Sequence, residues 1–488
     1  MTQTRRHFLK LAGMGVSGVF LQYTCTRQSG DQNSRPNILF FFPDQHRHDW
    51  VGLNSELPVR TPNFDTVARR GVYFPHAICP SPLCAPSRAA VASGKEYDRC
   101  GVPTNQQNYP EQQTSFYTLL RASGYHVMGC GKFDLRKPAM DWGRDGRHVI
   151  EGVNYLHRWG FSSGIDNSGK HDGIRAYKEG KVGPYFDFLE KEHLAKVHLQ
   201  DFASRAGGNY EHTFPTPLPE RAYADNWIAR NGLELIRQAP KHRPWFLQVN
   251  FNGPHEPMDI TRRMQERWAG TSFPQPFRNT QFPPEKHDEI RQNYSAMIEN
   301  IDRWLGIYLE ELEKRGELEN TLIIYASDHG EMLGDHHRWA KRVPYHPSVG
   351  VPLLVTGPGV QQGIVHQQPT TTLDLAATFL DYSGISVPDS MDSRTLRPLL
   401  EGRSGQTREY VFSGLESWRL VMDNRYKLIR GFDPEGNRTQ SQSYRSEPLL
   451  LFDLKEDPQE SVNLAAEAPD VVARLGRVLV GQLRDEKS

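Results

Sequence analysis

The stretch Asn37-Ile38-Leu39-Phe40-Phe41-Phe42 stops abruptly at Pro43-Asp44-Gln45. An apolar run this short, bounded by a polar cluster, reads as a strand buried on both faces, the habit of a parallel sheet. Three further segments repeat the pattern. Tyr125 to Cys130 runs into Gly131, Lys132, Phe133 and Asp134, Trp245 to Phe251 into Asn252 through His255, and Leu322 to Ala326 into Ser327 through Gly330. Ligand sites of open α/β sheets form just beyond the carboxyl ends of the strands, so four polar clusters are expected to converge on one edge.

Helical segments fill the gaps. Thr61 is expected to cap a helix with Pro62 at its first position and Gly71 past its end, the asymmetry of a helix start and stop. From about Glu285 to Arg315, the residues Ile290, Tyr294, Met297, Ile301, Leu305, Tyr308 and Leu312 recur every three or four positions. They make one apolar stripe for packing against a sheet. From about Val411 the pattern turns hairpin-like, with Arg419 to Met422, a turn at Asp423 and Asn424, then Tyr426 to Ile429. An amphipathic helix follows near Val471 to Leu483. The expected organisation is one large domain over residues 35–404 and a small α+β subdomain over 405–488. Within the first, residues 153–208 are polar and aperiodic and read as an insertion over the sheet edge.

The chain has 488 residues, 37% of them hydrophobic, which excludes a disordered tail or a fibre. Lys plus Arg and Asp plus Glu are equal at 58 each, so no overall basic field draws it to nucleic acid or anionic membrane. Thr4, Arg5, Arg6, His7, Phe8, Leu9 and Lys10 precede the apolar stretch Leu11 to Leu21, about half a bilayer span. Residues 1–30 are therefore expected to be a twin-arginine export signal and linker, read by the translocase, with a periplasmic or extracellular destination and no stable membrane span. Cys25 follows where a lipid anchor is carried, but Gln22, Tyr23 and Thr24 suit lipidation poorly. With 5 cysteines in all, disulfides cannot be the scaffold of a chain this long.

One cysteine asks for a chemical explanation. Cys84-Ala85-Pro86-Ser87-Arg88, followed by Ser93 and Gly94, lies at an expected loop-to-helix junction. It resembles the signature of type I sulfatases, members of the alkaline phosphatase superfamily, in which the cysteine is oxidised after synthesis to formylglycine. The segments N-I-L-F-F-F-P-D-Q, R-T-P-N-F-D at Arg60, G-K-F-D at Gly131, P-H-E-P at Pro254, S-D-H-G-E-M-L-G-D-H at Ser327, Y-K-L-I and L-F-D-L-K-E-D-P-Q-E-S-V-N-L resemble the family's other blocks in order and spacing. The resemblance covers nearly all of residues 35 to 465. It implies an α/β fold, a large mixed and mostly parallel sheet sandwiched by helices. It also implies a maturation enzyme as partner and a sulfate ester as substrate, a sulfated carbohydrate being the expected class.

An aldehyde hydrate carries two hydroxyls on one carbon, so one can attack sulfur and the other can later expel sulfate; a serine or thiol has no second hydroxyl. Asp44, Gln45, Cys84, Asp328 and His329 are the expected metal ligands, an oxygen-rich set that suits Ca²⁺ better than zinc or copper. Arg88 and Lys132 are expected to hold the hydrate and its charge, His255 and Lys341 to bind sulfate and assist the leaving oxygen. The helix end at Cys84 adds backbone donors and a positive dipole end. Each position has a plainer reading: Asp328 and His329 as a helix cap, Gln45 as a loop hydrogen-bonder, Lys341 as a solvated lysine. His336 is a substrate-side candidate. His157, Arg158, Trp159 and Lys170 in the insertion are candidates for contact with a sugar.

Two positions depart from the family pattern. Asp134 stands where a histidine is usual and is expected either to replace it as base or to bind substrate, and Gly350 stands where an arginine usually precedes V-P-L. Phosphonate monoester or phosphodiester hydrolysis, which shares tetrahedral substrates, and a non-catalytic glycan-binding role motivated by Asp134 both remain open at this point.

Overall fold

The computed structural model describes residues 35–404, 408–434 and 448–484; the twin-arginine pattern and Cys25 lie outside them. From Arg35 onward the chain forms one compact unit. Its centre is an eight-stranded sheet in the order Ile364–Val365, Val72–Tyr73, Leu353–Thr356, Thr321–Ala326, Asn37–Phe41, Trp245–Asn250, His126–Gly131, Ser163–Asp166. Only Leu353–Thr356 runs against its neighbours. The four strands expected from apolar runs are adjacent and parallel in the middle, with Leu39 opposite both Leu247 and Ile323. Their carboxyl ends therefore share one edge.

The strands are buried on both faces and feed two cores. Ile38, Phe40, Val127, Phe246 and Ile324 point to one, Leu39, Phe41, Met128, Leu247 and Ile323 to the other. The first core takes the helices Cys84–Ser93, Phe116–Ala122 and Leu375–Tyr382. The second takes Pro62–Arg69, Ala224–Gln238 and the long helix Pro284–Arg315, whose predicted stripe from Ile290 to Leu312 is buried throughout. Thr61 does not cap its helix with its side chain. Its hydroxyl is taken by the Gly52 N–H at 2.7 Å and by Asp65.

The C-terminal part is a four-stranded antiparallel sheet of Val411–Leu415, Trp418–Met422, Tyr426–Arg430 and Leu449–Asp453, covered by the helix Pro469–Arg484. Leu420 and Ile429 join the first core while Val421 and Leu428 pack under Leu475 and Leu479, so this sheet is continuous with the catalytic body through one face.

Residues 153–208 correct the expectation of an aperiodic insertion. They contain the edge strand Ser163–Asp166 and the helices Lys170–Lys178, Pro184–Lys191 and Ala195–Ser204. The apolar spacing there is short and interrupted by His, Gly and Lys, and tertiary packing supplies what the local pattern lacks. Trp159 is buried against His148 and Tyr155 rather than offered to a sugar. His157 is exposed, and Arg158 pairs with Glu111 at 3.1 Å.

His148 locks this segment to the sheet. Fully buried, it bonds Asp141 Oδ1 at 2.6 Å and Asp166 Oδ2 at 2.7 Å, and Asp166 in turn accepts the Phe133 N–H. Burial alone would lower its pKa; hydrogen bonds and attraction from the two carboxylates raise it to about 9. A raised folded pKa stabilises fully below the unfolded value of about 6.5, and the contribution is lost as pH rises through about 9. Urea denaturation of the wild type is therefore expected to show a loss of a few kcal/mol between about pH 6 and pH 10 that His148→Gln flattens. Parallel curves for the two proteins would contradict this.

Candidate active site

The site forms where the four central strands end. Asp44 and Gln45 follow Asn37–Phe41, Lys132 follows His126–Gly131, His255 follows Trp245–Asn250, and Asp328 and His329 follow Thr321–Ala326. Gly131 makes the turn possible. Its φ is +97°, and a Cβ there would meet Asn250 O at 2.0 Å, so only glycine lets the chain swing Lys132 inward.

Cys84 is the first residue of a helix whose every residue is buried. Its Sγ lies 3.3 Å from His329 Nε2 and 3.7 Å from Asp44 Oδ1, while His329 Nε2 lies 3.5 Å from Asp44 Oδ1 and 3.7 Å from Asp328 Oδ1. One donor atom from each of Asp44, Cys84, Asp328 and His329 falls within 4.8 Å of the others. Burial and the Asp44 charge push Asp328 up in pKa against the pull of Arg88. Two buried carboxylates facing one imidazole and one sulfur are a donor set that a divalent cation would relieve, and in that sense the residues fit a metal.

Cations wrap this cluster. Arg88 Nε bonds Asp328 Oδ2 at 2.9 Å, and its Nη1 bonds the Lys132 carbonyl and Asn250 Oδ1. Lys132 Nζ is bonded to Asp44 Oδ2 and lies 3.2 Å from Asp134 Oδ2. Burial and Asp44 push the Cys84 thiol up, but Lys132, Lys341 and Lys137 together hold it well below its ordinary value. Burial works against Asp44 ionisation as well, and Lys132, His255, Lys341 and His329 overcome it. An atom attached at position 84 therefore sits in a positive, water-poor cage suited to an anion. The helix end contributes its dipole more than its donors, because the Ala85 N–H is taken by Asn105 Oδ1 at 3.0 Å and Pro86 has none.

Above Cys84, Lys341 Nζ lies 2.7 Å from His255 Nε2. His255 Nδ1 faces the Glu256 carbonyl at 2.7 Å and its carboxylate at 3.1 Å. Nδ1 thus carries the ring proton, and Nε2 accepts from the Lys341 ammonium.

Gln45, His336, Lys170, Asp134 and Gly350 make contacts that the sequence did not specify. Gln45 bonds Glu331, Glu256 at 2.8 Å and Lys341 through its amide, and its own N–H reaches Asp328 Oδ1 at 3.0 Å, with a backbone φ of 71°. His336 stacks on Tyr345 at 4.2 Å and gives Nε2 to the Gln459 carbonyl at 2.9 Å, which commits it to the seam with the C-terminal part. Lys170 is buried and holds the His255 carbonyl at 2.7 Å, the Pro257 carbonyl and Asp259 Oδ1 at 2.6 Å, a structural clamp and not a surface charge. Asp134, with φ of 56°, is clasped between Lys132 and Lys137, the latter at 2.8 Å, and its Oδ1 has no hydrogen-bond partner. Gly350 abuts His48, where an added Cβ would meet Nδ1 at 2.8 Å, so the usual arginine has no room.

Sequence reasoning missed Lys137, which pairs with Asp134 and with Asp172 at 2.8 Å. It also missed Glu256, Glu331 and Tyr210, whose hydroxyl donates to Glu331 at 2.8 Å. Lys137 stands three positions after Asp134 and Glu256 within the P-H-E-P segment, so spacing alone held the signal for these two.

The comparisons agree with this geometry. The family model for sulfatases matches residues 36–385, and that for the C-terminal part of N-sulphoglucosamine sulphohydrolase matches residues 334–486. An arylsulfatase of Clostridium perfringens is 27% identical over 92% of this chain and 94% of its own. An N-acetylglucosamine-6-O-sulfatase of Bacteroides thetaiotaomicron is 23% identical over 91% and 85%. Among solved structures, a phosphonate monoester hydrolase of Agrobacterium radiobacter superposes with a TM-score of 0.75 at 22% identity over 92% of this chain and 96% of that one. A protein solved with its substrate D-glucosamine-2-N,6-O-disulfate gives 0.71 at 20%, over 93% and 99%. The fold is thus that of the alkaline-phosphatase-like hydrolases. The chain belongs to the sulfatase family within them and is a sulfuric ester hydrolase.

Asp134→Asn leaves two buried ammonium groups short of their shared carboxylate. Breaking a buried ion pair from one side costs about 3 kcal/mol or more, so chemical denaturation is expected to show that loss together with reduced turnover. Unchanged stability with turnover alone abolished would instead mark Asp134 as the base that the sequence pattern suggested.

Proposed function

We propose that Cys84 is matured to formylglycine by a dedicated enzyme and that the hydrated aldehyde hydrolyses sulfate esters of a sulfated carbohydrate. The observation that carries the reading is the position of Cys84 at the head of its helix, 3.3 Å from His329 and 3.7 Å from Asp44, inside a ring of Arg88, Lys132 and Lys341. The carbohydrate class is supported by the relatives, which include an ulvan-active sulfatase, an N-acetylglucosamine-6-O-sulfatase and an endo-4-O-sulfatase. Export by the twin-arginine route is part of the proposal. Among the described residues no helix is long and apolar enough to cross a membrane.

In this reading one hydroxyl of the residue 84 hydrate attacks sulfur, and the bond from sulfur to the ester oxygen breaks. The attacking hydroxyl gives up its proton while the departing alkoxide takes one at the Lys341–His255 contact, so the transfer is proton-neutral overall. Lys132 and Arg88 keep Asp44 and Asp328 oriented and balance the charge that grows on the sulfuryl oxygens. The second hydroxyl of the hydrate then loses its proton, restores the carbonyl and expels sulfate, and water re-hydrates the aldehyde. Asp44, Asp328, His329 and the residue 84 oxygen would hold Ca²⁺, which would supply charge neutralisation and a lowered hydroxyl pKa. Asp134 acts through Lys132 and Lys137, a positioning role.

Phosphonate monoester hydrolysis is the second reading, favoured by the fold shared with two such hydrolases at TM-scores of 0.75 and 0.73. Paired assays on aryl sulfate and aryl phosphonate monoesters decide between them, run before and after chelation with Ca²⁺ or Zn²⁺ returned. The sulfate is expected to be preferred by about tenfold or more in kcat/KM, with activity lost in chelator and regained with Ca²⁺. Preference for the phosphonate would transfer the assignment, and recovery with Zn²⁺ alone would contradict the calcium site.

A further inference from the structure

A second group of metal-ligating side chains lies at the mouth of the site, apart from the Cys84 cluster. His171, His255 and Glu256 each present one donor atom within 4.8 Å of the other two. The rings of His171 and His255 are 6.1 Å apart, and Glu256 lies 3.1 Å from His255 Nδ1. The two segments that carry these residues are tied together. Lys170, the residue before His171, clamps the carbonyls of His255 and Pro257 and the carboxylate of Asp259. His171 is exposed, while the His255 and Glu256 side chains keep 16% and 14% of their surface open, so a cation can reach all three from solvent.

We propose that His171, His255 and Glu256 form a second, inhibitory metal site selective for Zn²⁺ and similar imidazole-binding cations, which withdraws His255 from the leaving group. Two imidazoles and one carboxylate with an open fourth position suit zinc and suit Ca²⁺ or Mg²⁺ poorly. Donors about 2.1 Å from a tetrahedral Zn²⁺ stand about 3.4 Å from one another, so side-chain rotations of about 1 Å close the site. Lys341 occupies His255 Nε2 at 2.7 Å and the Glu256 carbonyl faces Nδ1 at 2.7 Å. A bound cation must take one of these two nitrogens. Either exchange breaks the Lys341–His255–Glu256 alignment that presents a proton above residue 84. No electron transfer is involved; the ion displaces a hydrogen bond and, at Nδ1, one proton passes to solvent.

Metal binding does not depend on the proposed chemistry, whereas the inhibition rests on it, and the experiment separates the two. The calcium-loaded enzyme is titrated with Zn²⁺ by calorimetry and with Co²⁺ by visible absorption. The same preparations are assayed on an aryl sulfate. The expected result is one Co²⁺ site with tetrahedral bands and Zn²⁺ inhibition at the same occupancy. His171→Ala and His171→Gln are expected to weaken Zn²⁺ binding and inhibition by about tenfold or more while leaving the kcat/KM of the calcium-loaded, zinc-free enzyme unchanged. Equal Zn²⁺ affinity in wild type and both variants would overturn the site, as would Zn²⁺ uptake only with stoichiometric release of Ca²⁺. Binding that His171 controls but that leaves turnover untouched would overturn the inhibitory role alone.

Discussion

The rest of this structure depends on one electrostatic constraint: several ions buried at a single sheet edge must neutralise one another. Asp44, Asp328 and Asp134 are fully buried, as are Arg88 and Lys132. Isolated, any one of these charges would cost several kcal/mol to desolvate. Together they form a lattice in which Arg88 holds Asp328, Lys132 holds Asp44 and Asp134, and Lys137 closes the ring at Asp134. The lattice tolerates the carboxylate pair at Cys84 because cations surround it. It also explains why a carboxylate can stand at position 134, where the family usually carries histidine. Lys137 adds a positive charge nearby, and Asp134 answers it.

A parallel sheet is what makes such a lattice possible. Four strands that all run the same way deliver their last residues to one edge, so segments nearly 300 positions apart in sequence meet; Gln45 and Lys341, hydrogen-bonded across 296 positions, are an instance. The apolar runs that end in polar clusters announced this arrangement, since four buried strands that each stop at charged or amide residues place those residues together beyond one sheet edge. The long amphipathic helix was equally plain, because its stripe from Ile290 to Leu312 keeps one period for its whole length.

What stayed hidden follows from contacts that cross the fold. The segment 153–208 looked aperiodic, yet Ser163–Asp166 is a sheet strand. Its glycine-bearing pattern carries too few apolar residues to signal a strand, and pairing with His126–Gly131 supplies the stability. Lys170 and Trp159 read as surface groups by type, and their burial is decided by Asp259 and His148, residues remote in sequence or silent in pattern. His336 lay within a block that resembles the family's, but the Tyr345 ring and the Gln459 carbonyl claim it. The backbone turn at Gln45 likewise brings its amide to Glu256 and Glu331, partners that spacing alone does not name. Residue types at strand ends were legible; the direction each side chain takes was not, since that depends on φ values and on partners from other elements.

Catalysis by this chain rests on the chemistry at position 84, and mass spectrometry of the peptide that contains it, taken from a preparation of measured activity, tests this most directly. An aldehyde in place of the thiol, in a fraction that rises and falls with specific activity and reacts with a hydrazide probe, is the expected result. A fully active preparation in which Cys84 is only unmodified cysteine would contradict the account.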